Sequence, residues 1–216
     1  TTPSPLCGPS RASLLTGLHN HNHGIVINGG QNRLIWAERH AGNSLPNWFK
    51  NAGYRTVLAG KVLNGCSTCF FGGWDVVIRQ DRENQTRRRF YWVDEMAAQV
   101  AAEIRVTPDE QPLFVFFAPP SPHAPFVPRP RYAHAFTGSP PIRDSVLDVP
   151  SFNEADVSDK RHALILASPL LDEERIARVV ANRERRAAMM LSLTDAFEVL
   201  LGSLRRAGRL EDTYVF

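Results

Sequence analysis

The sequence predicts an α/β fold in which helices cover both faces of a β-sheet. Strand-like apolar runs at residues 56–59 and 113–118 alternate with amphipathic stretches at residues 43–51, 94–106 and 172–207. The run at 113–118 is apolar throughout, which is the pattern of a strand covered on both faces. Helices that alternate with such strands are typical of layered α/β domains.

The predicted helices carry recognisable start and stop signals. Pro9 suits the first turn of a short helix, because a helix start has no use for its missing N–H, and Gly17 suits the end of that helix. Gly53 ends the helix over 43–51. Asp172 can cap the long helix, with acidic residues following in its first turn, and Gly208 stops it.

The predicted strands place polar residues at one edge of the sheet. Lys61 follows the strand at 56–59, and His123 follows the strand at 113–118. Ligands of α/β sheets bind beyond the carboxyl ends of the strands, so both residues are candidate site residues. Residues 119–160 are rich in Pro, Ser and Asp and predict a long surface loop, whereas residues 213–216 predict another buried strand.

Composition is ordinary for a globular protein. The chain has 216 residues, of which 43% are hydrophobic and 22% charged, enough for one sizeable domain with a core. A net charge of +3 is too small to indicate nucleic-acid binding. No apolar stretch of the sequence approaches the length of a membrane span, so no span is predicted.

The most informative segment is Cys-Gly-Pro-Ser-Arg at residues 7–11. Cys7 comes just before the first predicted helix, where free N–H groups favour an anion and make a cysteine sulfur reactive. The alternative is a buried structural cysteine, the usual role of a lone cysteine. The combination of residue types in so short a window favours a functional motif.

These residues carry a resemblance to a known family. Cys7-x-Pro9-Ser10-Arg11, followed by Thr16-Gly17, resembles the type I sulfatase signature, and residues 53–61 are similar to the second signature of that family. Leu63 stands where the commonest form has histidine. Further segments resemble the branch of N-acetylglucosamine-6-sulfatases and extracellular heparan endosulfatases, namely residues 21–23, 63–64, 122–125, 191–195 and 208–216.

The resemblance implies an alkaline-phosphatase-like fold, a mixed sheet flanked by helices, and a set of catalytic residues. Cys7 would be oxidised to formylglycine by a formylglycine-generating enzyme, and the hydrated aldehyde would be the nucleophile. Arg11 would hold the hydrate and offset charge, since its fork of donors suits an oxyanion. Lys61 would contact the sulfate, and His123 would bind sulfate or protonate the leaving group.

The resemblance also implies a substrate class. Asn64, His21 and His23 would bind a sulfated carbohydrate such as N-acetylglucosamine 6-sulfate. Two alternatives are a phosphoester or phosphonate hydrolase of the same superfamily and a non-catalytic glycan-binding remnant. A secreted, periplasmic or lysosomal location is expected for enzymes with such substrates.

The histidines at positions 19, 21 and 23 alternate with asparagines. An extended segment would place the three imidazoles on one side, as a zinc site requires. A loop of polar contacts near the site is the favoured interpretation, because no carboxylate or cysteine completes a zinc ligand set.

Calcium is the metal that the resemblance implies, with the group derived from Cys7 as one ligand. Paired aspartates expected upstream of Cys7 and an Asp-Asn pair expected after residue 216 are not in this sequence. Residues 1–216 are therefore expected to be an internal fragment, a partial catalytic domain that is inactive alone. Cys66 and Cys69 are expected to form a local disulfide or to stay as two free thiols.

Overall fold

A computed structural model describes residues 4–64, 72–79, 92–160 and 168–216. Its contacts divide the chain into two compact units, where the sequence analysis expected one partial domain over 1–216. The first unit comprises Thr1–Pro120 and Ala196–Phe216, and the second comprises Ser121–Asp195.

Helices dominate the chain and three strands form its sheet. In chain order the elements are α1 (Cys7–Thr16), α2 (Asn20–His23), α3 (Asn32–Arg39), α4 (Leu45–Asn51), β1 (Arg55–Gly60), β2 (Val76–Ile78), α5 (Trp92–Val106), β3 (Leu113–Ala118), a 3-10 turn (Pro130–Tyr132), α6 (Pro140–Leu147), α7 (Glu173–Arg206) and a second 3-10 turn (Leu210–Asp212). The predicted α/β class is confirmed. The sequence patterns missed α2, α3 and the short strand β2.

The sheet brings the ends of β1 and β3 to one edge. Its strand order is β2-β1-β3, and both pairings are parallel. Val57 of β1 lies between Val76 and Val115. Because parallel strands point the same way, the residues that follow β1 and β3 leave the sheet on the same side. Lys61 therefore lies at the carboxyl edge, as predicted.

Gly60 is required where β1 ends. Its φ is +107°, a conformation that side chains rarely adopt, and a Cβ there would lie 2.1 Å from the carbonyl oxygen of Ala118. Only glycine allows so close an approach of two backbones. The position of Lys61 against the end of β3 depends on this missing side chain.

A buried apolar cluster packs α1 against the end of β1. Its members come from α1, from the loop after α2, from α3, from β1 and from the segment that follows β1, namely Ala12, Leu15, Ile25, Trp36, Leu58, Val62 and Leu63. Leu63 is 5% exposed. This burial explains why residue 63 is leucine here, where the commonest form of the second signature has histidine. The cluster fixes the start of α1 relative to Lys61.

The long helix α7 is continuous and capped as predicted. The Asp172 carboxylate accepts a hydrogen bond from the N–H of Arg175 at 2.8 Å, which satisfies one free donor at the helix start. By length and composition alone α7 could cross a membrane. Core helices pass the same test, and α7 buries a row of side chains (Ala188, Met189, Ser192, Leu193, Ala196, Leu200 and Ser203). Its composition is therefore weak evidence for a membrane span.

Three sequence predictions are corrected by the fold. Residues 213–216 do not form a buried strand, since Tyr214 and Phe216 are exposed. The strand over 113–118 is present, but five of its six residues are half-buried rather than buried. The predicted loop over 119–160 contains a 3-10 turn and the helix α6. In each case a local pattern of apolar or polar residues did not reveal how much of the segment its neighbours in the fold would cover or order.

The second unit is held by polar contacts between its loops and α7. The carboxylate of Asp195 accepts hydrogen bonds from the Arg131 guanidinium and, at 2.8 Å, from the Tyr132 hydroxyl. The hydrogen bond from Arg131 and that from Tyr132 outweigh the effect of desolvation and lower the pKa of Asp195. Asp195 therefore has a structural role, as its place within a helix suggested.

Candidate active site

Cys7 is the first residue of α1, and its thiol is free and half-buried. Leu6 precedes it as the helix cap and supplies no side-chain hydrogen bond. The Asn28 side chain caps the helix start instead, because its Oδ1 accepts a hydrogen bond from the N–H of Gly8 at 2.8 Å. The end of α1 is fixed by Gly17, whose N–H bonds to the Ser13 carbonyl in a left-handed cap.

The start of α1 offers fewer free donors than predicted. The Gly8 N–H is occupied by Asn28, Pro9 has no N–H, and the Ser10 N–H donates to the Leu6 carbonyl at 2.9 Å. The expected anion site made of several free N–H groups is therefore corrected. An anion beside Cys7 needs cationic side chains, and the structure supplies Arg11 one turn further along the helix.

Arg11 connects the two sequence motifs. Its guanidinium donates a hydrogen bond to the backbone carbonyl of Lys61, the residue that follows β1. Burial lowers the pKa of Arg11, and the nearby Cys7 partly offsets this shift. The side chain is thus half-buried, close to Cys7 and anchored to the carboxyl edge of the sheet. The catalytic roles predicted for Cys7, Arg11 and Lys61 stay predictions.

Lys61 is fixed through its backbone. Its N–H donates to the Ala118 carbonyl at 3.0 Å, and its own carbonyl accepts from Arg11. Among the described residues no hydrogen bond or ion pair engages its ammonium group. The half-buried side chain therefore keeps its charge available to an anionic ligand.

Asn64 carries an unsatisfied acceptor. Its Oδ1 is buried from solvent and finds no hydrogen-bond partner within the described part of the chain. A buried acceptor without a donor costs free energy, and a ligand hydroxyl or amide would remove that cost. The observation is consistent with the substrate contact predicted for Asn64, which stays a prediction.

The role predicted for His23 is corrected by its surroundings. Its imidazole is fully buried, accepts the Ile25 N–H at Nδ1 (3.0 Å) and bonds to the Ser13 hydroxyl at Nε2 (3.0 Å). Burial is the main cause that lowers the pKa of His23, and the neighbouring His40 lowers it further. A neutral imidazole with both nitrogens engaged is part of the core and is closed to substrate.

The histidine segment is helical rather than extended. Residues 20–23 form the single turn of α2, so the three imidazoles do not share one side: His23 is buried, away from the other two. His21 is exposed and stacks on His19 with ring centroids 5.9 Å apart. The ring of His21 faces solvent, where a substrate can reach it, and the predicted substrate contact stays a prediction.

His123 lies in the second unit, on the loop after β3. It is exposed, and its Nδ1 lies 2.7 Å from the Ala124 carbonyl. A carbonyl oxygen only accepts, so Nδ1 carries a proton. Nε2 is the nitrogen left for a ligand or a proton transfer. The catalytic role of His123 stays a prediction.

The described residues do not fit a calcium site. Calcium takes six to eight oxygen ligands, and these residues contain no group of three or more His, Cys, Asp or Glu side chains that could hold a metal. The ligand role predicted for Cys7 thus has no partners in the described ranges. Cys66 and Cys69 lie outside the described residues.

Sequence reasoning missed Asn28 as a residue of this site. Its link to Gly8 spans 20 positions and carries no sequence signal beyond a polar residue in a glycine-rich turn. A Cβ at Gly8 would lie 3.0 Å from Asn28 Oδ1. The small residue after Cys7 is therefore explained by the close approach of Asn28.

Comparison with protein families gives a match over the entire sequence. The family model described as Sulfatase matches residues 1–216. The chain belongs to the sulfatase family. Among curated relatives, this sulfatase-family chain is 28% identical over 243 residues to the human N-acetylglucosamine-6-sulfatase, covering 99% of the chain and 43% of the human protein. It is 26% identical over 237 residues to an extracellular sulfatase SULF-1 homolog of Drosophila melanogaster, covering 99% of the chain and 21% of that protein.

Solved structures confirm the fold. A protein described in complex with its substrate D-glucosamine-2-N,6-O-disulfate matches with a TM-score of 0.63 at 18% identity, over 98% of the chain and 55% of that protein. The phosphonate monoester hydrolase of Agrobacterium radiobacter matches with a TM-score of 0.66 at 15% identity, over 98% of the chain and 52% of that enzyme. The sulfatase-like, alkaline-phosphatase-like fold is therefore present.

Proposed function

We propose that this sulfatase-family chain is part of a sulfuric ester hydrolase that acts through a formylglycine made from Cys7. The observation that supports this most directly is the hydrogen bond from Arg11 to the Lys61 carbonyl. It joins the cysteine motif, which carries the cationic Arg11, to the strand-end motif, which carries the cationic Lys61. The chain spans less than half the length of the curated relatives described above, so the proposal concerns the complete protein.

Formylglycine, when present, supplies an aldehyde hydrate as the nucleophile. The proposed roles of this chain's own residues follow from their charge and fixed position. Arg11 holds the negatively charged oxygens beside residue 7, since its anchored guanidinium presents several donors in one plane. Lys61 binds a sulfate oxygen as a point charge. A formylglycine-generating enzyme is the partner that this modification requires.

Three further residues are proposed to serve the substrate. Nε2 of His123 would bind a sulfate oxygen or give a proton to the departing alkoxide. Asn64 Oδ1, which finds no donor in the described part of the chain, would accept a hydrogen bond from a sugar hydroxyl. His21 would contact the sugar from its exposed position on α2.

A sulfated amino sugar is the proposed substrate. The human relative is named for N-acetylglucosamine 6-sulfate, and one structural neighbour is described with a glucosamine disulfate. The Drosophila relative is named as extracellular. We therefore infer a secreted or lysosomal location. The described residues do not hold a fitting calcium ligand set, so the other ligands of the expected calcium ion would lie in other parts of the complete protein.

The test uses the complete protein that contains this chain, produced with a formylglycine-generating enzyme. Mass spectrometry of the peptide that carries Cys7 is expected to show the aldehyde in place of the thiol. N-acetylglucosamine 6-sulfate is expected to be hydrolysed, and Cys7→Ala is expected to lower kcat by at least about a thousandfold. Full turnover by a protein whose Cys7 keeps its sulfur would overturn the proposal.

A second candidate reaction is phosphonate or phosphate monoester hydrolysis. The match to the phosphonate monoester hydrolase favours testing it, because that enzyme shares the fold. Parallel assays on N-acetylglucosamine 6-sulfate, its 6-phosphate and an aryl phosphonate give three kcat/KM values. Sulfate hydrolysis is expected to be the fastest. A non-catalytic protein would retain the Cys7 thiol and hydrolyse none of the three esters.

A further inference from the structure

The second unit contains a groove that none of the proposed catalytic residues lines. Its volume is about 340 Å³, and it is lined by Phe126, Val179, Asn182, Arg183 and Arg186. Ligand sites of small molecules begin at about 300 Å³, so the groove is large enough for one sugar unit. Four of the five residues come from α7.

The spacing of these four residues makes the groove a property of one helix face. Val179, Asn182, Arg183 and Arg186 stand at positions i, i+3, i+4 and i+7, which lie on the same side of an α-helix. Phe126 closes the groove from the loop side, and the guanidinium carbon of Arg186 lies 5.5 Å from the centre of its ring. The groove therefore combines two cations, one amide and an apolar wall.

The two guanidinium groups have no acidic partner within the described residues. Arg183 and Arg186 are exposed and form no ion pair with any residue that the structure describes, whereas Arg178 on the same helix pairs with Glu174 at 2.6 Å. The nearby Glu184 accepts a hydrogen bond from the Gly138 N–H at 2.9 Å. Neither guanidinium of the groove therefore forms an ion pair with a described neighbour on its own helix.

We propose that this groove binds an anionic sugar unit of a sulfated glycan substrate. The guanidinium forks of Arg183 and Arg186 match the oxygens of a sulfate group. The Phe126 ring and Val179 offer apolar surface to the C–H face of a sugar ring, and the Asn182 amide offers a hydrogen bond to a hydroxyl. This inference rests on the proposed function, because it presumes a sulfated glycan.

Arg185 provides a matched control within the same turn of α7. It is exposed and carries the same charge, but it does not line the groove. Arg183→Gln, Arg185→Gln and Arg186→Gln each remove one positive charge from an exposed helix position. A diffuse electrostatic attraction would be weakened equally by all three, whereas a built site depends on two of them.

The experiment is isothermal titration calorimetry of the complete protein that contains this chain, produced without the formylglycine-generating enzyme so that it does not turn over, with a sulfated hexasaccharide of glucosamine and uronic acid, its desulfated counterpart and inorganic sulfate. We expect the sulfated hexasaccharide to bind, and Arg183→Gln and Arg186→Gln each to weaken binding by about threefold to tenfold, while Arg185→Gln changes it by less than about twofold. Phe126→Ala is expected to weaken binding to the hexasaccharide without changing the weaker binding of inorganic sulfate.

Equal losses in the three glutamine variants, equal binding of the desulfated sugar, or no binding of the sulfated sugar would each overturn the proposal. Circular dichroism of every variant verifies that the helix is intact. Binding is measured without turnover, so an inactive protein whose groove binds would refute only the proposed function, and an active enzyme indifferent to Arg183 and Arg186 would refute only the groove.

Discussion

The guanidinium of Arg11 donates a hydrogen bond to the backbone carbonyl of Lys61, 50 positions away in the sequence. The contact ties the first turns of α1 to the segment that leaves β1. It leaves the Lys61 ammonium unused and holds the Arg11 charge close to Cys7. A structural contact and a candidate catalytic arrangement thus depend on the same side chain.

Replacing Arg11 by lysine tests this double role. A lysine ammonium cannot reach the carbonyl and present a planar fork to an oxyanion at the same time. In the complete protein, Arg11→Lys is expected to lower kcat/KM for a sulfate ester by about a hundredfold. Stability, measured by urea unfolding, should fall by only about 1–2 kcal/mol.

The exposed Arg33 of α3 supplies the control for that substitution. Arg33→Lys should leave both kcat/KM and the unfolding midpoint near their original values, since surface substitutions shift stability by at most about 0.5 kcal/mol. An Arg11→Lys protein with wild-type kcat/KM would show that the guanidinium serves the fold alone.

Gly60→Ala is expected to disrupt the carboxyl edge of the sheet. The added Cβ would lie 2.1 Å from the Ala118 carbonyl oxygen at a φ of +107°, so both strain and overlap act together. The expected loss of stability exceeds about 3 kcal/mol. Gly42→Ala is the matched control, because a Cβ there meets nothing within 4 Å and should change stability by less than about 1 kcal/mol. Equal unfolding midpoints for the two variants would contradict the close approach of β1 and β3.

His23 is expected to make the fold sensitive to acid. Burial and the neighbouring His40 lower its pKa from the ordinary value of 6.5, so the unfolded chain binds a proton where the folded chain does not. The unfolding free energy should therefore fall as the pH drops below about 6.5, by up to about 1.4 kcal/mol per pH unit. Urea unfolding between pH 7.5 and 5.0 measures this slope.

Two histidine variants separate that contribution from the others. His23→Gln keeps a donor for Ser13 and cannot be protonated, so its stability should be lower at pH 7.5 and depend less on pH. His134→Gln removes an exposed imidazole and should leave the slope unchanged. An unchanged slope in His23→Gln would mean that another group titrates.

Thr56 is expected to matter more than Lys50 for holding β1 beside Asp75. The fully buried Thr56 hydroxyl donates to the Gly73 carbonyl at 2.6 Å and accepts from the Asp75 N–H at 3.0 Å. Thr56→Val leaves the Gly73 carbonyl unpaired, whereas the Asp75 N–H keeps its bond to the Thr56 backbone carbonyl at 3.0 Å, and the substitution should cost about 1–3 kcal/mol. The Lys50 side chain is 47% exposed in its ion pair with Asp75, so Lys50→Met should cost less than about 1 kcal/mol and even less at high salt.

Acid should weaken the hydrogen bonds that Asp75 accepts from Lys50 and Thr56, and so lower the free energy of unfolding. Desolvation raises the pKa of Asp75, but hydrogen bonds from Lys50 and Thr56 outweigh it and the pKa is lowered from 3.8. Because the folded pKa lies below the unfolded value, the stabilisation is present above about pH 4 and is lost as the pH falls through the folded pKa. Asp75→Asn should remove this part of the acid dependence in urea unfolding below pH 4.

Patterns that are local in the sequence predicted much of the fold. The helix that begins near Cys7 and ends before Gly17, the strands β1 and β3, and the capped start of α7 at Asp172 all follow from residues close together in the chain. Such signals are readable because helix caps and apolar runs act over a few residues. The short strand β2 and the helix α3 lack strong signals of this kind.

The sequence by itself determined the family, the candidate nucleophile Cys7 and the strand-end position of Lys61, because these depend on residue types at fixed spacing. Only the tertiary structure decided that His23 is buried and closed to substrate, and that Asn28 takes the Gly8 N–H. It also decided that Arg11 reaches the Lys61 carbonyl. The physical reason is that burial and hydrogen-bond partners are set by residues 10 to 50 positions apart, which meet only after the chain has packed.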